Sequence, residues 1–239
     1  MIEAKNLSKS FGTTRAARNV SFIVQPGDVV GFLGPNGAGK STTMKMLAGA
    51  LVPDRGSAEA GGFSVTSQRT QAQGCLGYMP EAAGGFSDLT VREFLTFCAE
   101  ARQISNSDPQ KIIEDVAERT QLSPALNKPM RTLSKGWRQR AWFTQAVLHE
   151  PAALILDEPT DGLDPGQKDH IRNYIREISS STAIILSTHI LQEAEELCNR
   201  VIIITEGIIV KDQPIVELLD EKGRLASAFA DLTTSRSAA

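Results

Sequence analysis

Gly34-Pro35-Asn36-Gly37-Ala38-Gly39-Lys40-Ser41-Thr42 fills every fixed position of the pattern G-x-x-x-x-G-K-[ST]. The six residues before it, Asp28-Val29-Val30-Gly31-Phe32-Leu33, are apolar enough to form a buried strand. The residues after it, Thr42-Thr43-Met44-Lys45-Met46-Leu47-Ala48-Gly49, read as the first turns of a helix. Strand, glycine-rich loop and helix in that order are the context in which this pattern cradles phosphates. The glycines let backbone N–H groups turn inward around an anion, and the helix N-terminus adds partial positive charge. In such a loop Lys40 reaches the β- and γ-phosphates of a nucleoside triphosphate, and the Ser41 hydroxyl ligates Mg²⁺. The whole run, with Pro35, Asn36, Ala38 and Thr42 included, is therefore the candidate nucleotide-binding segment.

Working outward, Ala153-Leu154-Ile155-Leu156 and Ala183-Ile184-Ile185-Leu186 are continuous apolar runs. Runs of this kind suit strands of a parallel sheet covered on both faces. Helical patterns alternate with them, at residues 166–178 and 190–198, which argues for an α/β fold. Val201-Ile202-Ile203-Ile204 and Ile208-Ile209-Val210 flank Thr205-Glu206-Gly207 and read as a hairpin at the end of the sheet. Short strand candidates at residues 2–7 and 20–24 predict an antiparallel β subdomain at the N-terminus. Between Leu89 and Leu148 strand signals fade. Thr90-Val91-Arg92-Glu93 carries the [ST]-x-x-[DE] capping pattern, and Asp108-Pro109 opens another helix through Ile112, Ile113 and Val116. The expected organisation is one α/β domain over residues 1–222, a helical subdomain inserted at about 89–148, and a frayed helix and tail over 223–239.

Composition narrows the function classes. The 239-residue chain is 41% hydrophobic and 22% charged, as in an ordinary globular protein long enough to bury a large core. A net charge of −3 offers no global electrostatic case for nucleic acid. The three cysteines, Cys75, Cys98 and Cys198, have no C-x-x-C spacing and read as buried apolar residues of a reducing compartment. No apolar run approaches the ~20 residues of a spanning helix, and Met1 to Lys5 open no signal peptide. The expected location is the cytosol, unless a partner holds the chain at a membrane.

Three candidates for chemistry follow apolar strands, where open α/β sheets gather their ligands. The first is the phosphate loop. The second is Leu154-Ile155-Leu156-Asp157-Glu158-Pro159, a strand ending in two carboxylates. Asp157 suits the Mg²⁺ sphere, since that ion takes oxygen ligands beside phosphates. Glu158 suits a general base polarising the attacking water. The third is Ser187-Thr188-His189, whose histidine can sense a γ-phosphate, although a lone histidine is equally at home in a bland role. A fourth stretch, Leu133-Ser134-Lys135-Gly136-Trp137-Arg138-Gln139-Arg140, can start a helix with Ser134 as cap and Gly136 allowing close approach of an anion. By itself it reads equally as an ordinary helix start.

These elements in this order resemble the nucleotide-binding subunit of an ATP-binding cassette (ABC) transporter, over residues 2–220. Phe11 matches the aromatic that stacks on adenine in that family, against a competing reading as core packing. Residues 34–42 match its phosphate loop, 133–140 its signature segment and 154–159 its second nucleotide motif. Asp161-Gly162-Leu163-Asp164 matches the loop that communicates across the dimer, and His189 matches the switch histidine. The signature usually reads Leu-Ser-Gly-Gly-Gln; here Lys135 and Trp137 replace its third and fifth positions, while Ser134 and Gly136 remain. Glu81, in Tyr78-Met79-Pro80-Glu81, stands where the family often has glutamine, and still offers an oxygen toward Mg²⁺. The pattern is similar to the export-type branch.

The resemblance implies a P-loop NTPase fold, ATP and Mg²⁺ as cofactors, and a homodimer sandwiching two nucleotides. Each nucleotide would lie between the phosphate loop of one chain and Ser134 and Gly136 of the other. It also implies a separately encoded integral membrane permease, and hence a peripheral position on the cytoplasmic face of the membrane. A GTPase would need Asn-Lys-x-Asp, and Asn127-Lys128-Pro129-Met130 lacks the aspartate. The alternatives left open are a non-transport ATPase of the same superfamily and a regulatory module that binds ATP without turnover.

Overall fold

The computed structural model describes residues 1–81, 84–104 and 108–234. Its strands are β1 (Ile2–Phe11), β2 (Thr14–Val24), β3 (Val29–Leu33), β4 (Arg55–Ala60), β5 (Phe63–Ser64), β6 (Leu76–Met79), β7 (Ala153–Asp157), β8 (Ala183–Thr188), β9 (Arg200–Thr205) and β10 (Ile208–Pro214). The helices are α1 (Lys40–Leu47), α2 (Arg69–Cys75), α3 (Val91–Ala101), α4 (Pro109–Arg119), α5 (Lys135–Val147), α6 (Pro165–Ile178), α7 (Leu191–Leu197) and α8 (Ala226–Thr234). They form a P-loop NTPase fold built on two sheets. A six-stranded sheet has the order β10-β9-β3-β8-β7-β6, and a four-stranded antiparallel sheet has the order β2-β1-β4-β5. In the larger sheet only the β9–β10 hairpin is antiparallel.

Both faces of the larger sheet are covered, which is why its central strands are continuously apolar. Alternate residues of β3 and its neighbours serve different cores. Leu33, Leu156, Leu186 and Ile203 join one with the helices around α3 to α6. Phe32, Ile155, Ile185 and Ile202 join the other with α1 and the antiparallel sheet. Every residue of β3, β7 and β8 is buried. The parallel register pairs Leu33 with Thr188, and Asp157 with Ser187, so these strands end level with one another.

The apolar strands, the terminal hairpin and the N-terminal antiparallel strands expected from the pattern are all present. Helix α1, expected from Thr42 to Gly49, starts earlier. Its first backbone bond runs from Thr43 N–H to the Gly39 carbonyl (2.9 Å), which places Lys40 and Ser41 on the first helical turn. It ends at Leu47, ahead of Gly49 at φ +66°. The C-terminal run from Gly223, expected to be a frayed helix and tail, contains α8 behind the buried Leu225, and residues 235–239 lie outside the described set. Cys198 is buried as expected, whereas Cys75 and Cys98 are only half-buried, and all three are free thiols. No helix among the described residues is long and apolar enough to cross a membrane.

The described residues of 89–148 form α3, α4, α5 and short 3₁₀ turns. Two of these helices start as their sequences predict. Thr90 Oγ1 accepts from Glu93 N–H (3.2 Å) while the Glu93 carboxylate accepts from Thr90 N–H (2.7 Å). Asp108 likewise caps α4 through Gln110 N–H (3.0 Å), with Pro109 in the first turn. Each cap satisfies a backbone donor that the helix itself leaves without a partner. Thr90→Ala is therefore expected to lower unfolding free energy by about 1 kcal/mol, read by urea titration, with Thr90→Ser near the parent. An unmoved midpoint for the alanine variant would show that this cap carries no stability.

Candidate functional site

The chain leaves buried β3 at Gly34 and turns back into α1. Gly39, at the N-cap of α1, has φ +103°, and a Cβ there would lie 2.0 Å from the Ala16 carbonyl oxygen. A side chain is thus excluded twice, by conformation and by space. Pro35, Asn36 and Gly37 are exposed along the loop, while Ala38 is buried and bonded to the β9–β10 turn through Gly207 N–H (2.9 Å). Thr42 is half-buried on the first turn of α1. Lys40 is buried, and its ammonium donates to the carbonyls of Gly34 (2.7 Å) and Pro35 (3.3 Å). Burial pushes its pKa down, opposed by the charges of Glu158, Asp157 and Glu81.

Asp157 emerges at the end of β7 and is fully buried. Its Oδ1 accepts from the Ser187 hydroxyl on β8, and Ser41 Oγ lies 3.3 Å away. The same Ser41 oxygen is 3.1 Å from Glu81 Oε2, so its single proton serves one carboxylate at a time. Asp157 Oδ2 is buried with no hydrogen-bond partner. Burial pushes the Asp157 carboxyl above its ordinary pKa, the Ser187 and Ser41 bonds pull it down, and Glu81 pushes it up again. An orphaned buried oxygen beside a hydroxyl and an exposed carboxylate is a donor set suited to a hard divalent cation. Among the described residues no three His, Cys, Asp or Glu side chains cluster as a cage. That fits Mg²⁺, which binds through one or two carboxylates plus phosphates and water.

Glu158 follows immediately, with its backbone at φ +53°. Its N–H points to the carbonyl (3.2 Å) and hydroxyl (3.1 Å) of Ser187, and its carbonyl accepts from Gln139 Nε2 on α5 (2.8 Å). Three contacts hold a residue in a conformation that side chains seldom adopt, a form of strain found at functional sites. Both carboxylate oxygens lie 3.0 Å from His189 Nδ1. Burial raises the Glu158 pKa, and the His189 bond and charge lower it. His189 is exposed.

The structure thus brings Lys40, Ser41, Glu81, Asp157, Glu158 and His189 to one edge of the sheet. Phe11, Ser134 and Gly136 lie apart from them. Phe11 is 52% exposed at the end of β1, with Lys9 Nζ 5.8 Å from its ring centroid, so the core-packing reading does not hold. Ser134 caps α5 by accepting from Trp137 N–H (3.4 Å). Trp137 itself is stacked by the Arg140 guanidinium, 3.8 Å from its ring centroid. Neither Ser187 nor Gln139, though each lies in a stretch quoted above, carries a sequence signal for this contact, because a serine ending an apolar run and a glutamine on a helix follow no spacing rule. Tyr78 is a third such residue; its hydroxyl is buried and unpartnered, and burial together with Asp157 pushes its pKa up.

Comparison with known proteins identifies the family. Residues 17–161 match the family model described as ABC transporter. The chain is 36% identical over 222 residues to an uncharacterised ABC transporter ATP-binding protein, YxlF, of Bacillus subtilis, covering 93% of this chain and 74% of that protein. It is 35% identical over 207 residues to Nod factor export ATP-binding protein I of Burkholderia lata, covering 86% and 68%. A solved ATP-binding subunit of an ABC transporter superposes with TM-score 0.89 at 29% identity, covering 97% of this chain and 99% of that one. The fold also matches a dimeric ATP-binding cassette in a post-hydrolysis state with ADP and Pi, at TM-score 0.78, 21% identity, and 90% and 98% coverage.

The buried Asp157 generates a pH-dependent expectation. Its raised folded pKa means the folded chain binds this proton more tightly than the unfolded one. Ionising it therefore costs stability, increasingly so as pH rises from the ordinary carboxylate value through the raised one. Asp157→Asn, which keeps an acceptor for Ser187, is expected to raise the thermal midpoint of the nucleotide-free chain at pH 7. The gain should shrink toward zero as the pH is lowered below about 4, the ordinary value. A variant less stable than the parent at neutral pH would show that the charge is compensated.

Proposed function

The chain belongs to the ABC transporter family as an ATP-binding, ATP-hydrolysing subunit, and from that premise we propose how its residues divide the work. The carrying observation is the convergence, at one sheet edge, of a buried lysine, an orphaned Asp157 oxygen and a Glu158 carboxylate held by His189. Lys40 exchanges the Gly34 and Pro35 carbonyls for the β- and γ-phosphates of ATP, and the N–H groups from Gly37 to Thr42 close around them. Ser41, Asp157 and Glu81 are the residues that would hold Mg²⁺. The ion, when bound, screens the phosphate charge. Glu158 accepts the proton of the attacking water, and its raised pKa makes it a better base. His189 orients that carboxylate through Nδ1 and presents Nε2 to the γ-phosphate. Phe11, already exposed, offers its face to adenine.

Two copies face each other in this reading, and Ser134 and Gly136 of one complete the site of the other. Loss of the γ-phosphate removes the shared ligand and reopens the pair. A cleft of about 600 Å³ lies between α2 and β6 on one side and α3 and α5 on the other. Arg69, Phe97, Arg102 and Trp142 line it, and Pro80 connects it to Glu81. In this reading its mixed apolar and basic lining receives a cytoplasmic segment of a separate integral membrane permease, and the chain sits peripherally on the cytoplasmic face. Nod factor export, in one relative's name, supports the outward direction.

Two measurements test this reading. Lys40→Ala is expected to weaken Mg·ATP binding by about 1.5–3 kcal/mol, the worth of a hydrogen bond to a charged group. Unchanged affinity in a calorimetric titration would refute the loop assignment. Glu158→Gln is expected to slow hydrolysis by roughly 10²–10⁴-fold, the contribution of a general base, and to leave an ATP-dependent dimer on sizing chromatography. A variant that turns over normally removes Glu158 from the chemistry, and one that stays monomeric with Mg·ATP removes the sandwich.

A further inference from the structure

His189 stands between two residues whose polar atoms converge on one buried carboxylate. Thr188, fully buried at the end of β8, donates its hydroxyl to Glu193 Oε2 (3.0 Å), and the same hydroxyl oxygen accepts from Ile190 N–H (3.1 Å). The Thr188 hydroxyl thus closes around His189 from both sides. Glu193 is 5% exposed in the first turn of α7, and its other oxygen accepts from Lys168 Nζ on α6 (2.7 Å). A carboxylate that deep is costly without a cation, so Lys168 fixes where Glu193 can sit. A second ion pair, Arg172 with Glu196, joins the same two helices one turn further along. Among the described residues no hydrogen bond connects that pair to Thr188 or Ile190. Docking of α7 on α6 therefore does not itself require a link to the histidine loop, and the Lys168 pair supplies one.

We propose that Lys168 and Glu193 are positioning residues for hydrolysis, which act through the Thr188 hydroxyl to hold the His189 loop. Held so, His189 Nδ1 stays 3.0 Å from both Glu158 carboxylate oxygens. The proposal rests on the roles given to His189 and Glu158 above. Without Lys168 the Glu193 charge is left buried and unpaired, and it relaxes by turning toward water. The bond to Thr188 goes with it, and the ring loses its aim at Glu158. Neither Lys168 nor Glu193 belongs to the set that holds nucleotide, so affinity survives the loss of either while turnover falls.

The experiment uses the full chain. Lys168→Gln is expected to lower kcat for Mg·ATP by about tenfold to a hundredfold, the scale of a catalytic group displaced by up to about 1 Å, with KM little changed. Lys168→Arg should recover most of the loss. Glu196→Gln, the control, is expected to cost stability but to keep kcat. Without nucleotide, the His189 imidazole signal in the NMR spectrum, identified by its loss in His189→Ala, should move in Lys168→Gln and stay in Glu196→Gln. Thr188→Val keeps the shape and removes the hydroxyl; it should reproduce the loss, so a poorly folded lysine variant leaves the test intact. In a His189→Ala background neither change should slow turnover further. If either slows it as much without the histidine, or if Glu196→Gln lowers kcat equally, the ion pairs only hold α7 on α6 and the proposal falls. If Lys168→Gln and Thr188→Val turn over like the parent, the proposal falls while the role of His189 stands. A His189→Ala variant as active as the parent overturns both.

Discussion

A single serine in the middle of the sheet holds the proposed catalytic edge together. Ser187 donates its hydroxyl to Asp157 across the β7–β8 register and receives the Glu158 N–H at its own oxygens. One side chain thus ties down two consecutive carboxylates of different character. Asp157 is pulled inward, where a charge is costly unless it is hydrogen-bonded or meets a cation. Glu158 is turned outward through a left-handed backbone, toward His189. Residues of a straight strand alternate faces, so these two carboxylates would point to opposite sides of the sheet. The break at Glu158, fastened by Ser187 and Gln139, keeps both at the edge where α1 begins.

Much of this architecture was legible because it rests on burial and spacing. β3, β7 and β8 are buried on both faces, and their sequences announce it without interruption. The phosphate loop depends on backbone conformation that only its glycines and a helix start supply. β6 was not legible: Gly77 interrupts a run of four residues, and its reason is tertiary, since a Cβ there would lie 2.1 Å from the Ala146 carbonyl oxygen of α5. β4 was hidden for another reason. Half of Arg55-Gly-Ser-Ala-Glu-Ala is exposed, so no apolar alternation develops. The pairings that tune the site, Ser187 with Asp157 and Gln139 with Glu158, join residues 30 and 19 apart. No spacing rule reaches across such distances, since each depends on which strands and helices become neighbours.

The lysine of the phosphate loop rests on a physical device of its own. Lys40 is folded back on acceptors of its own chain, the carbonyls of Gly34 and Pro35. For Lys40 the need is strong, because a buried ammonium without acceptors would lose its proton or open the loop. Neutral carbonyls satisfy it, yet compete poorly with phosphate oxygens. Internal acceptors therefore keep the cation in place without committing it. Binding a triphosphate then gives the ammonium stronger partners in exchange for those carbonyls. The free energy of phosphate binding is thereby kept from being spent on ordering the loop, which is how a preorganised site converts a single anion into a change of assembly.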